Sequence, residues 1–147
     1  MMIRSWRGMS AVAESLTHPA FSTEIRSHLQ ACRSRGSRFL VVGNLRSYGD
    51  EVISAGGACV QTVRCDRVLE INVEHETVTV ESGVTIDALQ RRLAPHGFVL
   101  PVNSGTAQVT IGGAIANDVH GKNHHVAGTF GCFVDRFELV RSDGQSL

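Results

Sequence analysis

The sequence has no excess of charge of either sign, few aromatic residues and no long apolar run. Its 147 residues carry 14 Lys and Arg against 14 Asp and Glu, so the formal net charge is zero. A neutral chain lacks the positive field that draws proteins to nucleic acid or to anionic membranes, so neither is an expected partner. No stretch approaches the roughly 20 apolar residues that cross a bilayer, and we expect no integral membrane protein.

Cysteine is scarce and is not arranged for metal binding or redox exchange. Cys32, Cys59, Cys65 and Cys132 contain no Cys-x-x-Cys pair. With 42% hydrophobic residues the chain can bury a core without disulfides, so we predict reduced thiols and a cytoplasmic protein. The N-terminus, MMIRSWRGMSAVAESL, lacks the apolar stretch of a secretory signal, and export by that route is not expected.

Two segments have the periodicity of amphipathic helices. The first spans residues 22–36, with Ser22 or Thr23 as its N-cap and Gly36 at its C-terminal end. The second follows Thr85 as its N-cap. Three apolar residues form the stripe of this second helix: Ile86, Leu89 and Leu93.

Aliphatic runs predict a buried strand at 38–42, another strand at 58–63 and a hairpin at 68–82. Alternation predicts one buried face for the hairpin, formed by Leu69, Ile71, Val73, Val78 and Val80. Residues 132–147 predict a last strand and an Asp143-Gly144 turn without a return strand, so we expect a truncated chain or a completing partner. Helices and strands mix without regular alternation, which predicts an α+β fold.

The segment VVGNLRSYGDEV departs from ordinary loop composition. A strand leads into Gly43, and Arg46-Ser47 stand between this glycine and Gly49. Glycines on either side let backbone N–H groups converge, which is how a loop binds an anion. The segment therefore predicts a phosphate site.

A second glycine-rich segment, NSGTAQVTIGGAIAND, predicts a second phosphate site. Thr110 is the expected N-cap of a short helix at 111–116, and Gly112-Gly113 permit close approach to its N-terminus. Two such sites together would hold a pyrophosphate. The dinucleotide fingerprint Gly-x-Gly-x-x-Gly is absent, so a nucleotide would be held in another way.

Two runs of the sequence resemble a known protein family. RSYGD at 46–50, followed by GTAQVTIGGAIANDVHGKNHHVAGTFG at 105–131, resembles the PCMH-type FAD-binding domain of the p-cresol methylhydroxylase and vanillyl-alcohol oxidase superfamily. Within this superfamily, the sequence is most similar to the decaprenylphosphoryl-β-D-ribose oxidases. The run SWRG near the N-terminus also resembles the Trp-Gly pair at the start of those proteins. The resemblance implies two α/β lobes with FAD between them. Residues 1–36 would form an N-terminal segment and helix, and 37–147 a partial FAD-binding domain without the substrate domain.

The resemblance also implies the cofactor contacts. The first loop would wrap the pyrophosphate with Val42, Gly43, Asn44, Leu45, Arg46, Ser47, Tyr48, Gly49 and Asp50. The other lobe would close on it with Gly105, Thr106, Thr110, Ile111, Gly112 and Gly113. The approach to the flavin ring would be lined by Asn117, Asp118, Val119, His120 and Gly121. The family keeps a small residue where this chain has Leu45, and a branched side chain there is expected to crowd the ligand.

The run NDVHGKNHH leaves three interpretations open: a metal site, a catalytic base, or imidazoles that hydrogen-bond loop carbonyls. His120 and His124 are four residues apart, but Gly121 disfavours a helix and no further ligands complete a site, so we expect no metal. Imidazole titrates near neutrality, as a base requires. The resemblance places His120 nearest the flavin and makes it the histidine to test for chemistry.

Many relatives tether FAD through a histidine in the first loop, which here reads Arg46-Ser47-Tyr48, so we predict non-covalent FAD. The resemblance implies an oxidoreductase that oxidises the CH–OH group of a sugar-type secondary alcohol, with a reductase partner completing an epimerisation. The catalytic base is expected beyond residue 147, and no catalytic residue is assigned. Two alternatives stay open: a truncated, non-catalytic flavin-binding module, and a sugar-acid or alditol oxidase of the same superfamily.

Overall fold

A parallel sheet organises the first half of the chain in the computed structural model, which describes residues 1–147. A hairpin comes first, with strands β1 at Met2–Arg4 and β2 at Ser10–Val12. Three parallel strands then form a sheet in the order β3-β5-β4, with bounds Ser15–Thr17 for β3, Phe39–Val42 for β4 and Ala58–Gln61 for β5. Helix α1, Ser22–Ser34, connects β3 to β4 and contacts β5. Parallel strands require such a crossover connection.

Both strands predicted in this half are confirmed, but one is less buried than expected. In β4 only Val42 is buried, and Val41 is 43% exposed. The reason is position, since β4 lies at the edge of the sheet. The central strand β5 carries the buried residues Ala58, Cys59 and Val60.

Helix α1 ends as predicted but begins differently. Gly36 has a φ of 65°, the left-handed conformation that a side chain disfavours. The N-cap is Phe21, so the expected cap at Ser22 or Thr23 is wrong. Glu24 instead accepts a hydrogen bond from the backbone N–H four residues earlier, at 2.8 Å. The first N–H of the helix, that of Ser22, donates to the Glu81 carboxylate at 3.0 Å, so a distant side chain satisfies a donor that a local hydroxyl was expected to satisfy.

The second half contains an antiparallel hairpin and three helices. Their bounds are Val68–Asn72 for β6, Thr77–Val80 for β7, Ile86–Leu93 for α2, Ile111–Ala116 for α3 and His124–Ala127 for α4. The predicted cap of α2 is confirmed, because Thr85 Oγ1 accepts a hydrogen bond from the N–H of Ala88 at 3.1 Å. The predicted apolar stripe of α2 is buried in full.

The hairpin is confirmed, whereas its predicted buried face is partly wrong. Leu69 and Val73 are 55% and 51% exposed. At Leu69 the cause is a β-bulge: Val68 pairs with Val80, and the next pairing on β6 is that of Glu70, which leaves Leu69 without a partner. Val73 is exposed because it lies in the turn, beyond the end of β6. The extra residue reverses the alternation of side chains, so the inward positions on β6 are not those of an unbroken strand.

The C-terminal segment folds back on itself. Leu139 and Leu147 exchange two backbone hydrogen bonds of 3.0 Å across the Asp143-Gly144 turn. The expectation that this turn has no return strand is therefore wrong, because the final residues supply the pairing. The expected last strand is not formed: its first residues belong to the 3-10 turn Phe130–Phe133, and the only pairing in the remainder is the isolated bridge between Val140 and Ser146.

Two separate apolar clusters confirm the α+β fold of two lobes. The first cluster lies around the parallel sheet and contains Ile3, Ala13, Val42, Val52 and Cys59. The second lies between the hairpin and the helices and contains Val84, Ile86, Leu89, Leu93, Val102, Ile111, Ala114 and Phe130. Each lobe thus has its own core.

The four thiols are free, as predicted, and three of them are buried, Cys132 being the exposed one. Burial raises the pKa of Cys59 and Cys65 to about 11, because the apolar surroundings disfavour the thiolate. None of the helices has the length and apolar content needed to cross a membrane.

Candidate functional site

The loop after β4 presents a run of unused backbone donors. No N–H group of residues 43–52 donates a hydrogen bond to another group of the chain. Gly43, Asn44 and Ser47 are nevertheless partly shielded from solvent. Backbone N–H groups that are shielded from solvent almost always have a partner, so partly shielded ones without an internal acceptor are available to an external one.

Arg46 places a positive charge in this loop. Its Nε is buried and has no hydrogen-bond partner in the chain. Its guanidinium lies 4.8 Å from the centre of the Trp6 ring. The backbone N–H of Trp6 donates a hydrogen bond to the Ser47 carbonyl at 3.2 Å. A guanidinium with a donor to spare is suited to an anion such as phosphate.

Leu45 adopts a left-handed backbone conformation with a φ of 55°. A branched residue rarely does so, and the conformation costs about 1–2 kcal/mol. The Leu45 side chain packs against the first apolar cluster, which offsets the strain. The side chain is therefore directed into the protein core and away from the exposed side of the loop, so the expected crowding of a ligand by Leu45 is wrong.

The structure brings the two glycine-rich segments together, as the sequence predicts. Asn44 Nδ2 donates a hydrogen bond to the carbonyl of Gln108 at 2.9 Å. Gly43 lies so close to Thr110 that a β-carbon at Gly43 would overlap the threonine hydroxyl. The two loops are thus in direct contact, although they are separated by some sixty residues of sequence.

The N-terminus of α3 is closed, contrary to the expectation that it seats a phosphate. The N–H groups of Ile111 and Gly112 donate to the carbonyls of Val84 and Ser82, at 2.7 and 2.9 Å. The next N–H donates to the hydroxyl of Thr110, which confirms this residue as the N-cap. All first-turn donors are therefore used within the protein, and a phosphate would find none.

The glycine pair in α3 serves packing. A β-carbon at Gly112 would lie 2.9 Å from the side chain of Ser82, so the helix can approach the end of the hairpin only with glycine there. At Gly113 it would lie 3.1 Å from the Thr110 hydroxyl that caps the helix. The predicted close approach is real, but the approaching group belongs to the protein.

Unused donors in the second segment occur upstream of α3, at residues 103–107, whose N–H groups also donate to no group of the chain. The segment is shaped by its own hydroxyl groups: Ser104 Oγ donates to the Thr106 carbonyl at 2.9 Å, and Thr106 Oγ1 accepts from the Gln108 N–H at 3.2 Å. A β-carbon at Gly105 would meet no atom within 4 Å. The open face of this segment is therefore Gly105 and its neighbours.

The histidine run lies beside this open face and shares a cleft of about 690 Å³ with it. The cleft is lined by Pro101, Asn103, Ser104, Gly105, His120, Gly121, Lys122, Asn123 and His124. Nδ1 of His124 lies 3.1 Å from the Gly121 carbonyl, and the His120 and His124 rings meet edge to face at 5.0 Å. No group of three or more His, Cys, Asp or Glu side chains converges as a metal site would require. The contacts favour histidines that shape the cleft.

The residues predicted to approach the flavin fall into two groups. His120 and Gly121 line the cleft, whereas Asn117, Asp118 and Val119 do not. Asn117 Nδ2 donates to a carbonyl of α3 at 2.9 Å, and Asp118 Oδ1 accepts from the Gly131 N–H at 2.8 Å. Val119 packs against the second apolar cluster. These contacts fix the turn that presents His120.

Sequence reasoning missed a buried ion pair at the base of the hairpin, whose carboxylate also contacts the start of α1. Glu81 is 3% exposed and accepts two hydrogen bonds from the Arg67 guanidinium, at 2.8 and 2.9 Å. It also accepts from the backbone N–H groups of Arg67 and Ser22, at 3.1 and 3.0 Å. These donors, the guanidinium first, lower the pKa of Glu81 to about 2. No local pattern in the sequence reveals the pair, because the β-bulge between Val68 and Glu70 shifts the register that brings Arg67 beside Glu81.

Comparison with protein families gives a match to the FAD binding domain over residues 14–147. Decaprenylphosphoryl-β-D-ribose oxidase from Mycolicibacterium smegmatis is 40% identical over 121 residues, covering 82% of this chain and 26% of that protein. L-gulonolactone oxidase from Mus musculus is 29% identical over 136 residues, covering 91% of this chain and 30% of that protein. The chain thus spans between a quarter and a third of the length of these relatives.

Solved structures share the fold. 6-Hydroxy-D-nicotine oxidase from Arthrobacter nicotinovorans superposes with a TM-score of 0.81 at 14% identity, covering 90% of this chain and 29% of that one. Alkyldihydroxyacetonephosphate synthase superposes with a TM-score of 0.79 at 19% identity, covering 90% and 26%. The chain belongs to the FAD binding domain family, within the p-cresol methylhydroxylase and vanillyl-alcohol oxidase superfamily.

Proposed function

We propose that this chain is the FAD-binding portion of an oxidoreductase that oxidises a secondary alcohol of a sugar-type substrate. The observation that carries the proposal is the run of unused N–H donors at 43–52, beside the unpartnered guanidinium nitrogen of Arg46. A diphosphate needs several donors and a positive charge in one place, so the residues present fit the cofactor of this family.

The proposed cofactor contacts follow from the geometry of the two segments. Residues 43–50 would hold the diphosphate through backbone N–H groups and Arg46, and residues 103–107 would close on it with the N–H groups that remain unused there. Of the residues predicted in α3, Thr110 would act indirectly, through its contact with Gly43. When bound, FAD supplies a ring that accepts a hydride from an alcohol carbon, and the protein supplies position and electrostatics.

The cleft beside the second segment would admit the alcohol. His120, Lys122 and His124 line it together with Gly105, so polar side chains adjoin the proposed cofactor contacts. We propose that His120 orients the substrate and leave the catalytic base unassigned. A sugar-type substrate is supported by the relatives, one named for a ribose and one for a gulonolactone. A reductase partner that completes an epimerisation belongs to the same proposal.

We also propose that FAD is held without a covalent bond, because residues 46–48 offer no histidine. The alternative of a truncated, non-catalytic module was supported by the expectation of an unpaired last strand. Because Leu139 and Leu147 pair with each other, the unpaired strand no longer supports that alternative.

Calorimetric titration of the purified chain with FAD tests the proposal. We expect saturable binding, visible flavin absorbance after desalting, and release of all flavin into the supernatant on acid precipitation. Arg46→Gln should weaken binding about tenfold or more, since a charge-assisted hydrogen bond contributes about 1.5–3 kcal/mol. Arg38→Gln is the matched control, because this arginine lies outside the loop and donates to the Ala55 carbonyl. A chain that binds no FAD, or equal loss in both variants, contradicts the proposal.

A further inference from the structure

The N-terminal hairpin touches the proposed cofactor loop, although it lies outside the matched family domain, which begins at residue 14. The turn between β1 and β2 is held by hydrogen bonds from the Ser5 N–H to the Met9 carbonyl, at 2.8 Å, and from the Gly8 N–H to the Ser5 carbonyl, at 3.0 Å. Ile3, in β1, is buried in the first apolar cluster. The turn that carries Trp6 is therefore held in place by its own hydrogen bonds and by the burial of Ile3 in the core.

Two contacts connect this turn to the loop. The Trp6 backbone N–H donates to the Ser47 carbonyl at 3.2 Å, and the Trp6 ring lies under the Arg46 guanidinium at 4.8 Å. The first contact gives one carbonyl of the loop a hydrogen-bond partner in the turn. The second holds the guanidinium against the ring, and the Arg46 Nε still has no hydrogen-bond partner in the chain, so it remains a donor for an anion.

We infer that Trp6 is a positioning residue of the cofactor site, acting through Arg46. This inference rests on the proposed function. An arginine on a flexible loop loses side-chain freedom when it binds phosphate, and a ring that already holds the guanidinium removes part of that cost. Only an aromatic face provides the attraction, so the identity of residue 6 matters and its bulk alone does not.

Fluorescence and affinity together test the inference on the full chain. Trp6 is the one tryptophan of the sequence, so fluorescence excited at the long-wavelength edge of tryptophan absorption reports on this residue alone. We expect FAD to quench this emission on binding. Trp6→Leu, which keeps an apolar side chain without a ring, should weaken FAD binding about fivefold or more, whereas Trp6→Phe should stay within about twofold of the unmutated chain.

The outcomes separate the two proposals. If the unmutated chain fails to bind FAD, the proposed function is wrong and the inference falls with it. If it binds FAD and Trp6→Leu binds equally well, or if Phe and Leu weaken binding equally, only the inference is overturned. Should Trp6→Leu fail to fold, the inference is tested by adding millimolar ADP to the unmutated chain. ADP carries the diphosphate without the flavin, so a shift in the Trp6 fluorescence supports the inference. Unchanged emission in a chain that binds FAD refutes it.

Discussion

Replacing Glu81 by glutamine removes the buried charge that pairs with Arg67. A pKa that falls from its ordinary value of 4.5 to about 2 corresponds, at about 1.4 kcal/mol per pH unit, to about 3 kcal/mol of folding free energy. Half of the Arg67 side chain is exposed, and solvent screens part of this attraction. We therefore expect Glu81→Gln to lower the free energy of unfolding by about 2 kcal/mol at pH 7, or Tm by about 4–8 °C.

The pH dependence distinguishes this ion pair from simple packing. Because the folded-state pKa of Glu81 is depressed, its contribution is fully present above pH 4.5 and is lost as the pH falls towards 2. Urea unfolding followed by circular dichroism, for both proteins between pH 7 and pH 2.5, should show a gap that closes below pH 4.5. Glu70→Gln, at an exposed position of β6, is the control and should change little. A gap that is absent at pH 7, or that persists unchanged to pH 2.5, would refute the reasoning.

Three further expectations follow from single positions. The added methyl group of Gly43→Ala would overlap the Thr110 hydroxyl, so this variant should destabilise the fold by about 2 kcal/mol and abolish FAD binding. Gly105→Ala places its methyl group in open space and should preserve stability, so equal urea midpoints for the two variants would contradict the reasoning. Glu76 has a φ of 53°, so Glu76→Gly should raise the free energy of unfolding by about 0.5–1 kcal/mol, and a lower urea midpoint would argue against strain there. A thiol reagent at neutral pH should modify Cys132 at once and the three buried thiols only on unfolding. Rapid reaction of a second thiol in the native protein would be inconsistent with the burial of these side chains.

Local signals in the sequence predicted what local interactions determine. Thr85 and Thr110 cap their helices because a hydroxyl before an apolar stripe can satisfy a first-turn N–H without help from the rest of the fold. The two glycine-rich segments were identified by composition and by family resemblance. Their mutual contact also followed from the resemblance, since no local pattern links Gly43 to Thr110.

Features that depend on distant partners were missed. The bulge at Leu69 is a property of strand pairing, and a single strand gives no sign of it. The donors at the N-terminus of α3 were expected to serve a ligand, because the sequence does not reveal that the carbonyls of Ser82 and Val84 reach them first. Glu81 lies near the end of the predicted hairpin, and only the fold places four donors around it.

The unused N–H groups at 43–52 have a consequence for the chain in solution. An amide that donates to no protein acceptor is open to hydrogen exchange, so in deuterated water this stretch should label within seconds while the flanking strands β4 and β5 label slowly. A ligand that accepts hydrogen bonds from these groups must retard their labelling. The protection would outline the ligand's footprint amide by amide, with no need for a crystal or a chromophore.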